Sequence, residues 1–175
     1  MSPFATPYAW KKFEKHEELK DQLLEMIKAT TCKPVPEKSE KISRTDWFTS
    51  RTPQKDYAQL LIPAITKDVA ACIDSLNYYK HYDTLNVLDI WFQQYSKSDE
   101  HVWHQHEDCI WVGIYYVELP EGSPKTQLRD IANDNNIIEP DVKEGDILII
   151  PSNVFHRSPP NESDGVKTII SFNFK

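Results

Sequence analysis

The sequence predicts one mainly β domain with flanking helices at its N-terminal end. Helical periodicity is confined to the first half of the chain, in residues 16–30 and 56–82. From residue 85 onward, short apolar segments alternate with turn-forming segments, which is typical of consecutive β-strands. Helices followed by a run of short strands indicate a sheet-dominated fold, in which residues 1–84 support a core formed by residues 85–175. A chain of 175 residues fits a single domain.

The two predicted helices each have one apolar face and carry no chemistry. Residues 16–30 begin with acidic side chains, which suit the positive end of the helix dipole. Residues 56–82 contain Pro63, which lacks a backbone N–H, and we expect it to break or kink this helix. His16 and His81 lie on or beside the helices without partners nearby in sequence, so we assign them no role. The inner faces consist of Leu19, Leu23, Leu24, Met26 and Ile27, and of Val69, Ala70, Cys72, Ile73 and Leu76.

Five segments in the second half predict β-strands, because β-branched and aromatic residues dominate them. Segments rich in Pro, Gly, Asn, Asp and Ser separate the strands and predict turns, among them residues 133–136. Residues 1–15 show no clear pattern, and residues 32–43 predict a polar connector. The predicted strands span residues 85–95, 109–119, 126–131, 147–151 and 166–174.

Composition excludes several classes of protein. The sequence has only 4 glycines and lacks both GxGxxG and GxxxxGKS/T, so it has no motif for a dinucleotide or a phosphate loop. The net charge of −7 does not favour nucleic acid as a partner. The 3 scattered cysteines do not resemble a disulfide framework, and neither a signal peptide nor an apolar run of ~18 residues is present. We therefore expect a cytoplasmic protein, in a bacterial or phage-infected host cell, with no membrane partner.

Closely spaced histidines are the most specific chemical signal. His104 and His106 share a face if the chain is extended, because alternate side chains point the same way about 6.5–7 Å apart. Two imidazoles on one face can bind one metal ion, and a third ligand then has to come from another strand. His156 is suitable, because it follows the predicted strand 147–151, whose antiparallel return brings it beside the strand after His106. Three ligands on one side leave the opposite side of the metal open, as in non-haem iron oxygenases.

The same segment offers a second ligand set. The sequence HED at 106–108 places a carboxylate two residues after a histidine, so His106, Asp108 and His156 form a two-histidine, one-carboxylate set. Spacing alone leaves the choice between the two sets open. His101 is one residue out of phase with the histidine pair, so we expect it on the surface or behind the site.

Three segments resemble one known family in their order and spacing: WFQQYSKSDEHVWHQHEDCIWVGIYYVELPEG, EGDILIIPSNVFH and KTIISFNF. They resemble the phage-type 2-oxoglutarate/Fe(II) oxygenases, in which two closely spaced histidines precede a segment of the kind SGVYYL. Here that segment is VGIYYV, residues 112–117. The resemblance covers residues 85–175 and implies a double-stranded β-helix, also called a jelly-roll or cupin-like fold, with iron in the barrel mouth.

The resemblance also implies roles for individual residues. His104 and His106 correspond to the first two ligands of Fe(II) and His156 to the third, while Asp108 falls on a position that the family does not use for metal. Since all three ligands are then neutral, the metal keeps more positive charge, which the anionic cosubstrate 2-oxoglutarate can offset.

One position departs from the family. The family places Arg at the start of the last strand to hold the distal carboxylate of 2-oxoglutarate, and this sequence has Lys167 there. Lysine can pair with a carboxylate but lacks the two-pronged geometry of arginine. Arg157 is the other nearby cation in sequence, and Gln93 and Tyr95, which share one face of the first strand, can donate hydrogen bonds to the cosubstrate.

The resemblance implies an Fe(II)/2-oxoglutarate-dependent dioxygenase, in particular a hydroxylase, with O2 as the second cosubstrate. The expected substrate is a small molecule or a peptide side chain. Two alternatives remain at this stage: a cupin-like metal-binding protein without 2-oxoglutarate, and a non-catalytic phage accessory protein on the same scaffold. The segment GDILIIPSNVFH also fits a cupin pattern, but the glutamate expected after the first histidine pair is absent. Nothing in the sequence indicates an oligomeric state.

Overall fold

A computed structural model describes residues 4–36, 41–76 and 85–175, and it is mainly β as predicted. Within these residues the chain forms two helices and ten strands. In chain order they are β1 (Ala9–Lys12), α1 (His16–Ala29), β2 (Arg44–Thr45), α2 (Asp56–Ser75), β3 (Val87–Tyr95), β4 (His101–His104), β5 (Trp111–Glu118), β6 (Gln127–Asp130), β7 (Asn133–Ile138), β8 (Asp146–Pro151), β9 (His156–Ser158) and β10 (Lys167–Phe174).

The strands form two antiparallel sheets, which confirms the predicted double-stranded β-helix. The major sheet has the order β1-β8-β5-β10-β3-β2, and the minor sheet has the order β4-β9-β6-β7. The antiparallel return expected after residues 147–151 is present, because Pro151 at the end of β8 pairs with Trp111 at the start of β5. This return carries the chain into β9, where His156 lies.

Strand alternation divides the core into two layers. Along β5, Tyr115 and Val117 face the helices, whereas Ile114 and Tyr116 face the minor sheet. Position 113 requires glycine, because a Cβ atom there would lie 2.1 Å from the Phe172 ring on β10. The helices therefore cover one face of the major sheet, and the other face closes onto the minor sheet around the site.

The helices follow the prediction except at two points. Helix α2 runs continuously from Asp56 to Ser75, so Pro63 does not break it, and of the predicted break or kink the break is wrong. The predicted helical segment 77–82, with His81, lies outside the described residues. His16, to which no role was assigned, contacts the major sheet: its ring is buried and its Nδ1 lies 2.7 Å from the Tyr115 hydroxyl on β5.

Four short strands were not predicted, because each lacks the length or the alternation that marks a strand. They are β1, β2, β4 and β9. In addition, residues 133–136, predicted as a turn, belong to β7. Among the described strands it pairs with β6 alone, at the edge of the minor sheet, so most of its polar side chains remain exposed and leave no apolar pattern. No helix in the described ranges is long and apolar enough to cross a membrane.

Candidate metal centre and adjoining cavities

Three histidines converge at the mouth of the β-helix. His104 ends β4 and pairs with His156 at the start of β9, while His106 lies in the loop before β5. The backbone N–H of His106 donates to the Ser152 carbonyl at 2.9 Å, which fixes this loop against the turn after β8. One ligand atom from each imidazole lies within 4.8 Å of the other two. The expected shared face of the pair is therefore present, although His104 belongs to the minor sheet and not to β5.

The hydrogen bonds of the three rings fix their tautomers. The Nδ1 atoms of His104 and His156 lie 2.8 and 2.9 Å from the backbone carbonyls of Val102 and Val154. A carbonyl oxygen only accepts, so each Nδ1 carries the proton and each Nε2 keeps its lone pair. Each Nε2 is then available to a metal ion, with Nδ1–H held by an acceptor in the manner usual for metal-binding histidines.

The third ring is held by a side chain. The Nδ1 atom of His106 lies 2.6 Å from Oδ1 of Asn173, whose Nδ2 in turn lies 3.4 Å from Oδ2 of Asp89. Because the Asn173 amide donates to Asp89 on one side, it accepts from His106 on the other. Trp91 stacks on the His106 ring with centroids 5.6 Å apart. All three histidines thus present Nε2 from a fixed orientation.

Burial keeps these rings neutral. Desolvation is the main cause that lowers the pKa of His104 and of His106, and it lowers the pKa of His156 to about 3. The neighbouring imidazoles lower the pKa values further, since a second positive charge at this distance is unfavourable. Neutral imidazole is the form that binds a metal ion, so the donor set suits a divalent cation at ordinary pH.

Asp108 does not join this cluster. It is exposed and lies in the left-handed backbone region with φ of 62°. The geometry therefore groups His104, and not Asp108, with His106 and His156. His101 was expected to point away from the histidine pair, but it lies on the same side as His104. A register shift in β4 between His101 and His104 brings the two rings together, stacked with centroids 3.8 Å apart.

Lys167 is fully buried at the start of β10. Its Nζ donates to the Pro124 carbonyl and to the Ser158 hydroxyl, both at 2.8 Å, and lies 5.1 Å from the centroid of the Tyr95 ring. It forms no ion pair with a carboxylate of the described residues. Burial of an ammonium without a counter-charge lowers its pKa to about 7. One of its three donor hydrogens remains for a ligand.

The other predicted cosubstrate residues occupy different places. Gln93 and Tyr95 face the same interior as the triad, and Nε2 of Gln93 lies 3.1 Å from Nδ1 of His101. Arg157, the neighbour of His156 in β9, also lines the inner cavity. Its Nε donates to Gln127 at 2.8 Å and its guanidinium lies 4.8 Å from the Trp103 ring.

Two cavities meet at the histidines. The inner cavity, about 20 Å³ in volume, lies between the triad and the residues around Lys167. A volume of this size holds about one water molecule. The outer cavity, about 530 Å³, opens from the triad to solvent and has the size of a small-molecule site. The residues that line both cavities are Trp91, Gln93, His101, His104 and His106.

Residues 89–173 match the sequence profile of a family described as "Putative 2OG-Fe(II) oxygenase". The matched segment is 85 of the 175 residues. The chain is an oxygenase that uses Fe(II), 2-oxoglutarate and O2. The cupin-like protein without 2-oxoglutarate and the non-catalytic accessory protein are not favoured. The phage origin stays a prediction. No curated protein matches the chain by sequence.

Solved 2-oxoglutarate oxygenases share the fold over almost the whole chain. A prolyl-4-hydroxylase from Pseudomonas putida superposes with a TM-score of 0.65 at 11% identity, over 98% of this chain and 93% of that one. The viral collagen prolyl hydroxylase of Paramecium Bursaria Chlorella virus-1, solved with 2-oxoglutarate, gives 0.62 at 19% identity, over 97% and 96%. A Trichoplax adhaerens prolyl hydroxylase in complex with a hypoxia inducible factor peptide gives 0.62 at 12% identity, over 97% and 84%. At these identities the likeness establishes the fold.

Sequence reasoning missed three residues of the site. Asn173 holds His106, Ser158 holds Lys167, and Trp91 forms the wall behind His106. The alternation of β10 contained a signal for Asn173. Alternate residues of a strand share a face, and Asn173 is the third such residue after Lys167. Ser158 shares the buried face of β9 with His156, but β9 is too short to be predicted as a strand.

Proposed function

We propose that this oxygenase is a hydroxylase in which His104, His106 and His156 bind Fe(II) through their Nε2 atoms. The observation that carries the proposal is the convergence of three neutral, orientation-locked imidazoles in a cleft beside a buried ammonium group. The bound metal, 2-oxoglutarate and O2 supply the oxidation: the cosubstrate is converted to succinate and CO2 as an oxygen atom enters a substrate C–H bond.

Lys167 is the proposed anchor for the distal carboxylate of 2-oxoglutarate. Its buried charge has hydroxyl and carbonyl acceptors but no anionic partner in the described residues, so an anion there offsets an unfavourable desolvation. Ser158 holds the ammonium from one side, and Tyr95 lies beneath it. The neutral triad adds no negative charge, which further favours a dianionic ligand between the triad and Lys167.

The substrate is proposed to be a small molecule or a peptide side chain that enters the outer cavity. The cavity of about 530 Å³ accommodates either. A peptide substrate is supported by the similar fold of a hydroxylase solved with a bound peptide. The assigned metal ligands, the anchor and the cytoplasmic location are likewise proposals.

The function can be tested on the purified chain. Fe(II) and 2-oxoglutarate added without oxygen should produce a visible metal-to-ligand charge-transfer band, and admission of O2 should release succinate even without substrate. His156→Ala serves as the matched control, because it removes one proposed ligand. If the iron-loaded wild type gives no band and releases no succinate, the proposal is overturned.

A further inference from the structure

The outer cavity has an unequal distribution of charge. Among the described residues, its lining contains three carboxylates, Asp89, Glu107 and Asp108, and one cation, Arg51. Fe(II) and 2-oxoglutarate carry opposite charges of equal size, so their binding does not change this local excess of negative charge. The histidines beside it are held neutral by burial and add nothing. The cavity is therefore electrostatically suited to a cation.

An independent contact shows which group fits the cavity wall. The guanidinium of Arg51 lies 4.4 Å from the centroid of the Trp47 ring, and its Nε lies 3.9 Å from Oδ1 of Asp89. The indole face and the carboxylate thus already accept a planar cation, which is held by attraction to the ring and by charge. Arg51 is itself about half exposed, at 47% of its side chain, so this contact can be exchanged.

The wall leads directly to the metal centre. Trp47 packs edge-on against Trp91 with ring centroids 4.3 Å apart, and Trp91 stacks on His106. A cationic group on the Trp47 face is thus connected to His106, a proposed metal ligand, through two contacting rings, Trp47 and Trp91.

We propose that the outer cavity binds a substrate group with a positive charge, an ammonium or a guanidinium, and presents a neighbouring C–H bond for hydroxylation. This inference rests on the proposed function. In the reaction the C–H bond breaks and a C–O bond forms, O2 supplies one oxygen atom to the product and one to succinate, and 2-oxoglutarate loses CO2. Arg51 gives way to the substrate cation or lies beside it.

The first experiment uses capped peptides that differ in one central residue: lysine, arginine, norleucine, proline or glutamate. Norleucine matches the lysine stem without its charge. We expect the lysine or arginine peptide to stimulate succinate release above the substrate-free rate and to gain one oxygen atom by mass spectrometry. Its apparent KM should be lower than that of the norleucine peptide by about tenfold or more, since a charged partner is involved. Free lysine amide, tested in parallel, distinguishes a small amine from a peptide side chain.

The second experiment uses two variants that should act in opposite directions. Arg51→Gln removes the competing cation and should lower the KM of the cationic probe, whereas the double variant Glu107→Gln/Asp108→Asn should raise it. Asp164→Asn removes a carboxylate that does not line the cavity and serves as the charge control. If the substrate is an anion, Arg51→Gln should instead raise its KM and the double variant should lower it.

The outcomes separate the two proposals. Succinate release without stimulation by any cationic probe, or stimulation by the proline or glutamate peptide alone, overturns the inference about charge and leaves the oxygenase intact. Loss of the substrate-free succinate release itself overturns the proposed function.

Discussion

The Nδ1 atom of His106 lies 2.6 Å from the Oδ1 atom of Asn173, which belongs to β10 in the major sheet. Of the three histidine rings at the centre, this is the one held by a side chain and not by a backbone carbonyl. Since a side chain can be replaced, the contribution of this bond to metal binding can be measured.

Asn173→Leu should weaken Fe(II) binding about 10–100-fold, because His106 loses the acceptor that fixes its tautomer and ring plane. Asn173→Asp restores an acceptor and should recover most of the affinity. Anaerobic Fe(II) titration gives both values, and Asn135→Ala, on the exposed edge strand β7, is the matched control. Equal affinity in the Leu variant and the wild type would show that the bond is irrelevant to the metal.

The ligand set can be decided by a pair of substitutions. Asp108→Ala should retain one bound Fe(II) per chain, because this carboxylate is exposed and outside the histidine cluster. His104→Ala should lose the metal at the same concentration. Metal content after gel filtration under anaerobic conditions distinguishes them, and the reverse result would favour the carboxylate set.

Lys167→Met should separate cosubstrate binding from stability. Methionine has a similar length without charge, so the variant should raise the KM for 2-oxoglutarate at least about tenfold while its midpoint of denaturation stays equal or rises. Succinate assays and urea titration measure the two effects. A lower midpoint with an unchanged KM would assign Lys167 a purely structural role.

The pH dependence of 2-oxoglutarate binding provides a check that needs no substitution. With a pKa of about 7, Lys167 in the free protein loses its proton as the pH rises above 7. Binding of the dianion then requires proton uptake, so the affinity should fall by up to about tenfold per pH unit above 7. Affinity that is constant from pH 7 to 9 would contradict this role.

The stability of the metal-free protein should fall as the pH is lowered from 7 to 5. The pKa values of His16, His104, His106 and His156 are lower in the folded protein than the ordinary value of 6.5. Below about pH 6.5 the unfolded chain therefore binds more protons, and each extra proton changes the free energy of unfolding by about 1.4 kcal/mol per pH unit. Urea titrations in the presence of a chelator measure the slope; a stability that rises towards pH 5 would reverse the sign.

Gly113→Ala should destabilise the fold by about 1–3 kcal/mol, because the new methyl group meets the Phe172 ring. The double variant Gly113→Ala/Phe172→Leu should lose less stability than the sum of its single variants. Denaturant midpoints for the four proteins of this cycle test the contact. Strict additivity would mean that the two residues do not constrain each other.

Local patterns predicted which histidines approach one another. The alternation of an extended chain placed His104 and His106 on one face, the antiparallel return after the β8 segment placed His156 beside them, and the structure groups these three rings. The role proposed for Lys167 came from the family resemblance. The phase of His101 was not predicted, because the irregularity in β4 depends on pairing with β9. There His101 pairs with Ser158 and His104 with His156, 57 and 52 residues away in sequence, and no local pattern encodes this pairing. Strand β7 was missed because an edge strand needs no apolar face.

The position of β10 in the major sheet has a consequence for how the chain is made. This strand lies between β5 and β3, yet it follows every other described strand in chain order. During synthesis the two halves of the major sheet therefore cannot join until residues 167–174 have left the ribosome. A stop codon before Lys167 should thus leave unpaired the edges of β3 and β5 that otherwise pair with β10, and expose these edges to aggregation.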